Sequence, residues 1–158
     1  ALVRLDAFLP AGAPVISSDL IRATATADAI ASARPRLPAR AGLREMHFGA
    51  WENLGWSDID SPLARRFWEQ PGDTAPPGGE SWNAAAARVQ GAVTRLIATH
   101  PGRDIIAVAH FGVILTQLQA ARRCTGAEVL AQGINNLSVT RLDHDGEGWQ
   151  VVSVNHAP

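Results

Sequence analysis

The sequence predicts an α/β fold built on a mostly parallel sheet. Three observations carry this reading. Asp104-Ile105-Ile106-Ala107-Val108-Ala109 is a near-continuous apolar run, as expected of a central strand covered on both faces. Short apolar runs alternate with helix-period segments along much of the chain. Late in the chain two alternating segments, Leu137–Leu142 and Trp149–Val154, are joined through Asp145-Gly146-Glu147-Gly148, the pattern of an antiparallel hairpin.

Taken in order, Leu2, Leu5 and Leu9 fall on one helical face, with Arg4 elsewhere. This reads as the back half of an amphipathic helix, with further chain expected upstream of Ala1. Pro10-Ala11-Gly12-Ala13-Pro14 stops it. Val15-Ile16-Ser17 suits a short buried strand, and Ser18 or Asp19 is placed to cap a helix running through Leu20, Ala23, Ala27 and Ile30 to about Ala33. Pro35 and Pro38 break the chain, and Leu43 to Trp51 reads as a strand edge or an irregular segment. Residues 53–79 form a long excursion with anchors Leu54, Trp56, Leu63, Phe67 and Trp68 and a short helix near Pro62–Gln70, as in a lid or binding loop. Glu80 to His100 is a long helix with Trp82, Ala86, Val89, Val93, Leu96 and Ile97 on its apolar stripe. A further helix follows His110-Phe111-Gly112, with Val113, Ile114, Leu118 and Ala121 inward.

The chain has 158 residues, enough for one domain over 1–158 with a sizeable core. At 46% hydrophobic and 18% charged it is a globular composition, and a net charge of −1 without any basic run argues against nucleic-acid and membrane surfaces. No apolar run is long enough to span a bilayer. The single cysteine, Cys124, excludes an internal disulfide framework and fits a reducing compartment, the cytoplasm. There is no P-loop, no dinucleotide fingerprint and no Gly-x-Ser-x-Gly elbow. His47, His100, His144 and His156 show no metal-ligand spacing, so neither a cofactor nor a metal is expected.

Three residues stand out as chemistry-bearing. His110 follows the most apolar strand and precedes a helix, the place where open α/β sheets bind ligands and where helix N–H groups favour an anion. Beside an anion its charged form would be favoured. The alternative is a histidine capping its own helix. Arg22 lies in the first turns of the helix after Val15–Ser17, on the same sheet edge if the two strands run parallel. Its planar fork of donors suits phosphate, and the alternative is a surface pairing with Asp19 or Asp28. Glu45, between hydrophobic neighbours in Leu43-Arg44-Glu45-Met46-His47-Phe48-Gly49, could have a raised pKa and deliver a proton to a leaving alkoxide. The alternative is a salt bridge to Arg44 or Arg40.

The chain resembles the histidine phosphatase superfamily, the group that also contains the cofactor-dependent phosphoglycerate mutases. The match rests on Ser17-Ser18-Asp19-Leu20-Ile21-Arg22-Ala23, Leu43-Arg44-Glu45-Met46-His47-Phe48-Gly49-Ala50-Trp51-Glu52, Pro77-Gly78-Gly79-Glu80-Ser81, Val108-Ala109-His110-Phe111-Gly112-Val113-Ile114 and Asn136-Leu137-Ser138-Val139-Thr140. Each segment is weak alone, but five in the family's order and spacing make a strong case. The resemblance implies a three-layer α/β/α fold of phosphoglycerate-mutase type, with a mostly parallel central sheet and one antiparallel edge strand. It is nearest the small phosphatases, such as the α-ribazole phosphatases.

In this family a histidine attacks phosphorus, and water then hydrolyses the phosphohistidine. Arginines and a second histidine bind the phosphoryl oxygens while a carboxylic acid protonates the leaving oxygen. By position, Arg22 looks like the second phosphate-binding arginine, Glu45 the acid and His110 the second histidine. Phe111, Ser18 and Trp51 are the residues expected to touch substrate. Two departures stand out. Phe111 occupies a place commonly held by glycine. The signature Arg-His-Gly, which carries the nucleophile, does not occur in residues 1–158 and is expected upstream; without it the chain should be inactive. The implied partner is a small phosphorylated metabolite, and a homodimer is left open. The implied activity is a metal-independent phosphomonoesterase, with a phosphoglycerate mutase-type transfer or an inactive phospho-ligand-binding protein as the alternatives.

Overall fold

The computed structural model describes residues 2–158, apart from the Trp56 side chain. In chain order its elements are α1 (Leu2–Phe8), β1 (Val15–Ser17), α2 (Ile21–Ala31), α3 (Pro62–Glu69), α4 (Trp82–Thr99), β2 (Ile106–Val108), α5 (Phe111–Arg122), α6 (Gly126–Leu130), β3 (Val139–His144) and β4 (Trp149–His156). Short 3-10 turns at Ala41–Leu43, Gly49–Trp51 and Trp56–Ile59 fill the stretch between α2 and α3. Among the described residues, no helix is long and apolar enough to cross a membrane.

Strands β1 and β2 pair in parallel, with Val15 opposite Ile106, Ile16 opposite Ala107 and Ser17 opposite Val108. This register brings the two carboxyl ends level, so Ser18 and His110 leave the sheet at the same edge. The pleat sends successive side chains to opposite faces. Val15 and Ile106 join Leu5, Leu9, Ala27 and Ile30 in a cluster under α1 and α2. Ile16 joins Leu43, Val89, Ala92 and Val113 in a second cluster under α4 and α5. Helices therefore cover both faces of the pair, giving the three layers expected from the sequence. The Arg34 side chain fastens the first layer by pairing with Asp6 and donating to the carbonyls of Leu9 and Ile30.

The sheet differs from the expected arrangement in its division. Among the described residues it consists of a parallel pair and a separate antiparallel pair, β3 with β4. The late pair packs through Leu142, Val151 and Val154 onto the cluster that α5 shares with Met46, Phe67 and Trp82. Because β2 is paired along one edge only, Ala107 at its middle is exposed instead of covered on both faces. Two further expectations shift by small amounts. The buried stripe of α4 is Trp82, Ala85, Val89 and Ala92, so small alanines take the closest-packed places assigned to Ala86 and Val93. Helix α2 starts at Ile21 without a side-chain cap, because Ser18 and Asp19 are engaged elsewhere.

Of the anchors expected in 53–79, Phe67 is 3% exposed and Trp68 stacks on Phe48 at 6.1 Å, whereas Leu54 and Leu63 are exposed and the Trp56 side chain lies outside the described residues. The far end of the excursion is stitched to the Glu45 loop: Ala50 N–H donates to Pro77 O, and Glu80 N–H to His47 O. The two backbones run so close that a Cβ on Gly49 would lie 2.2 Å from Pro77 O, and Gly49 also has a φ of +54°. No other residue fits that crossing without moving it.

Candidate active site

The site assembles where β1 and β2 end. His110 stands at the amino end of α5 in extended conformation, and its side chain makes no capping bond to its own helix. It is 7% exposed, and its Nε2 lies 2.7 Å from the Oγ of Ser18, itself fully buried. The capping alternative for His110 therefore gives way to a cross-strand link between the two sheet ends.

Arg22 emerges exposed from the first turn of α2. Its two candidate surface partners are taken: Asp19 receives both ends of the Arg44 guanidinium at 2.7 and 2.6 Å, and Asp28 receives Arg36 at 2.9 Å. Instead, Arg22 acts electrostatically on His110 and on Glu45. Burial, and then the Arg22 charge, lower the His110 pKa to about 4, so the ring is neutral at physiological pH. An anion beside the ring would pull it towards imidazolium. Desolvation and a neighbouring cation both favour the neutral ring.

Glu45 projects between Leu43 and Met46, which are 1% and 5% exposed. Its Oε1 accepts the Met46 N–H at 2.9 Å and the Gly112 N–H at 3.1 Å. Burial raises its pKa, against the opposing pull of those two N–H groups, Arg22 and Arg88. The approach depends on Gly112 lacking a side chain, since a Cβ there would lie 2.7 Å from Oε1. Neither alternative partner holds this carboxyl: Arg44 belongs to Asp19, and Glu45 forms no ion pair with Arg40 among the described residues.

Residues that the sequence reading did not single out hold this loop. Arg88 on α4 pairs with Glu80 at 2.7 Å and donates to the carbonyls of Gly42 and Arg44. Glu80 in turn accepts the His47 N–H at 3.1 Å. An arginine on a polar helix face gives no sequence signal of this kind, because its partners lie far away in the chain.

Of the expected residues, the structure brings Ser18, Arg22, Glu45 and His110 together. Phe111 follows His110 and is 44% exposed at the start of α5. Ser18 has no exposed surface, and its hydroxyl is engaged with His110. Trp51 packs edge-on against Phe67 with ring centroids 5.4 Å apart, in the excursion's own aromatic cluster. Among the described residues, no group of three His, Cys, Asp or Glu side chains could hold a metal ion.

The model of the histidine phosphatase superfamily (branch 1) matches residues 4–157. A glucosyl-3-phosphoglycerate phosphatase of Mycobacterium tuberculosis is 36% identical over 141 residues, covering 81% of this chain and 63% of its own length. A metal-independent phosphoserine phosphatase of Arabidopsis thaliana is 32% identical over 127 residues, covering 73% of this chain and 53% of its own. The chain thus spans less than two thirds of the length of these relatives. The mycobacterial glucosyl-3-phosphoglycerate phosphatase complexed with inorganic phosphate superposes with a TM-score of 0.83 at 32% identity, covering 99% of this chain and 84% of that one. The chain belongs to the histidine phosphatase superfamily, and its relatives include phosphatases.

Proposed function

We propose that this protein is a metal-independent phosphomonoesterase acting on a small phosphorylated metabolite through a phosphohistidine intermediate. The observation that carries the reading is the convergence of Arg22, His110 and Glu45 on one sheet edge, two donors for phosphoryl oxygens beside one buried acid. The Arg22 guanidinium and the His110 ring bind the phosphoryl oxygens and stabilise the charge that develops on them. Glu45, whose burial raises its pKa and so favours its acid form, gives its proton to the leaving alkoxide as the P–O bond breaks. Water then attacks the phosphohistidine, and the carboxylate left on Glu45 takes up its proton.

The attacking histidine belongs to the Arg-His-Gly motif, which residues 1–158 do not contain, so this reading requires it from preceding chain. The name of the phosphoserine phosphatase relative supports independence from metal, and the lone Cys124 supports a cytoplasmic setting. The compact 53–79 excursion favours hydrolysis over mutase-type transfer. The test is hydrolysis of p-nitrophenyl phosphate by the full-length protein without added metal, with the phosphoenzyme trapped by acid quench. Turnover with a labelled histidine supports the proposal. No turnover, with Arg-His-Gly present upstream, overturns it in favour of an inactive phosphate binder.

A further inference from the structure

Ser18 is fully buried, and the structure gives its hydroxyl two partners. His110 Nε2 lies 2.7 Å away, and the Leu20 N–H donates to Oγ over a longer 3.4 Å. A hydroxyl carries one proton, and a buried O–H that donates to nothing forfeits a hydrogen bond it had in water. The Leu20 N–H is itself a donor, so the proton on Ser18 has His110 Nε2 as its acceptor among the described residues. Were Nε2 protonated instead, Oγ would accept twice and its own proton would be stranded.

We infer that Ser18 is a positioning residue that fixes His110 as the neutral tautomer protonated on Nδ1. With Nε2 committed to Ser18, Nδ1–H becomes the donor that His110 offers to a phosphoryl oxygen. His110 Nδ1 takes no hydrogen bond from the described residues. The ring then binds an oxyanion without needing to gain a charge, which suits a histidine kept neutral beside Arg22. The second half of this inference rests on the proposed role of His110 as a phosphate ligand; the tautomer assignment does not.

The experiment uses the full-length protein with isotope-labelled histidine, read by long-range proton–nitrogen correlation at neutral pH. The expected result is a His110 ring with Nδ1 protonated and Nε2 bare, and an Nδ1 signal that moves on titration with inorganic phosphate. Ser18→Ala, which removes one oxygen and adds no bulk, should abolish that signature in favour of the other tautomer or an average of the two. It should also weaken phosphate binding about fivefold, the effect of one lost hydrogen bond. A wild-type ring protonated on Nε2 or on both nitrogens, or an unchanged ring in Ser18→Ala, overturns the inference. The expected tautomer without any response to phosphate would uphold Ser18's role and remove His110 from the phosphate site.

Discussion

Glu45 and Arg22 act on the same small volume and are held in opposite ways. Glu45 is fixed from several sides: buried neighbours, two peptide N–H groups, and a loop stitched to the Pro77–Glu80 turn and braced by Arg88. Arg22 stands exposed on the first turn of α2, and the carboxylates nearest it in sequence pair with other arginines. In the proposed roles, the acid is therefore placed by the fold, whereas the cation is left for a ligand to organise. A proton donor must meet one leaving oxygen at one distance, so its position has to be built in. A guanidinium can reach any of several phosphoryl oxygens, so it can stay loose.

The largest expected effect follows from this contrast. Arg22→Ala should lower kcat/KM of the full-length protein by ~10²–10³-fold, as for loss of one preorganised donor to a transition-state oxyanion. Its effect on unfolding free energy should stay within ~0.5 kcal/mol, because an exposed side chain without a carboxylate partner contributes little to folding. Paired steady-state kinetics and urea melts check both halves. A large stability loss with near-normal turnover would reverse the roles assigned to the two sides.

The second effect concerns acid. The unfolded His110 titrates near 6.5 and the folded one at about 4. Between those values the unfolded chain binds more protons, so the stability His110 contributes is complete above the upper value and is lost as pH falls towards the lower one. Glu45 has the opposite sign: its pKa is raised, so its contribution is present at low pH and lost as pH rises through the folded value. His110→Gln should flatten the acid slope of unfolding free energy between neutral pH and pH ~4. Identical slopes in variant and wild type would show that burial does not hold the ring neutral.

Much of this was legible in the residues, for reasons that differ by element. Ile106 in the run before His110 and the anchors Phe67 and Trp82 are large and apolar, so their burial follows from composition, and the fold class with it. Arg22, Glu45 and His110 could be proposed because their segments keep the resemblance's order. The bracing of Glu45 by Arg88 and Glu80, and the link from Ser18 to His110 across 92 positions, depend on tertiary approach that no local pattern encodes. The separation of β3–β4 from β1–β2 was equally hidden, because each pair taken alone has the expected strand pattern.

A smaller effect tests how tightly the acid is placed. The Cβ of Gly112→Ala would fall 2.7 Å from Glu45 Oε1, so the carboxyl must retreat or the helix start must shift. We expect kcat/KM to fall ~10-fold or more for alkyl phosphates, which need a proton on the leaving oxygen, and much less for p-nitrophenyl phosphate. Glu45→Gln should show the same split between substrates. Equal losses on both would mean that the carboxyl is not the acid.

The smallest effect is expected at Asp19, whose bidentate pair with Arg44 joins the loop after β1 to the loop carrying Glu45. By position it could serve as the clamp that sets the acid. Both side chains are well exposed, however, at 54% for Arg44 and 36% for Asp19, and such pairs are screened and contribute little. The Glu45 loop also keeps its backbone bonds to Pro77 and Glu80 and its brace from Arg88 without this pair. Asp19→Asn should therefore change kcat/KM by less than about threefold, with no fall in thermal stability beyond that of an ordinary surface substitution. It should also leave the ratio of alkyl to p-nitrophenyl phosphate turnover unchanged. A selective loss on the alkyl esters would show that a surface ion pair, and not the backbone, holds the acid in place.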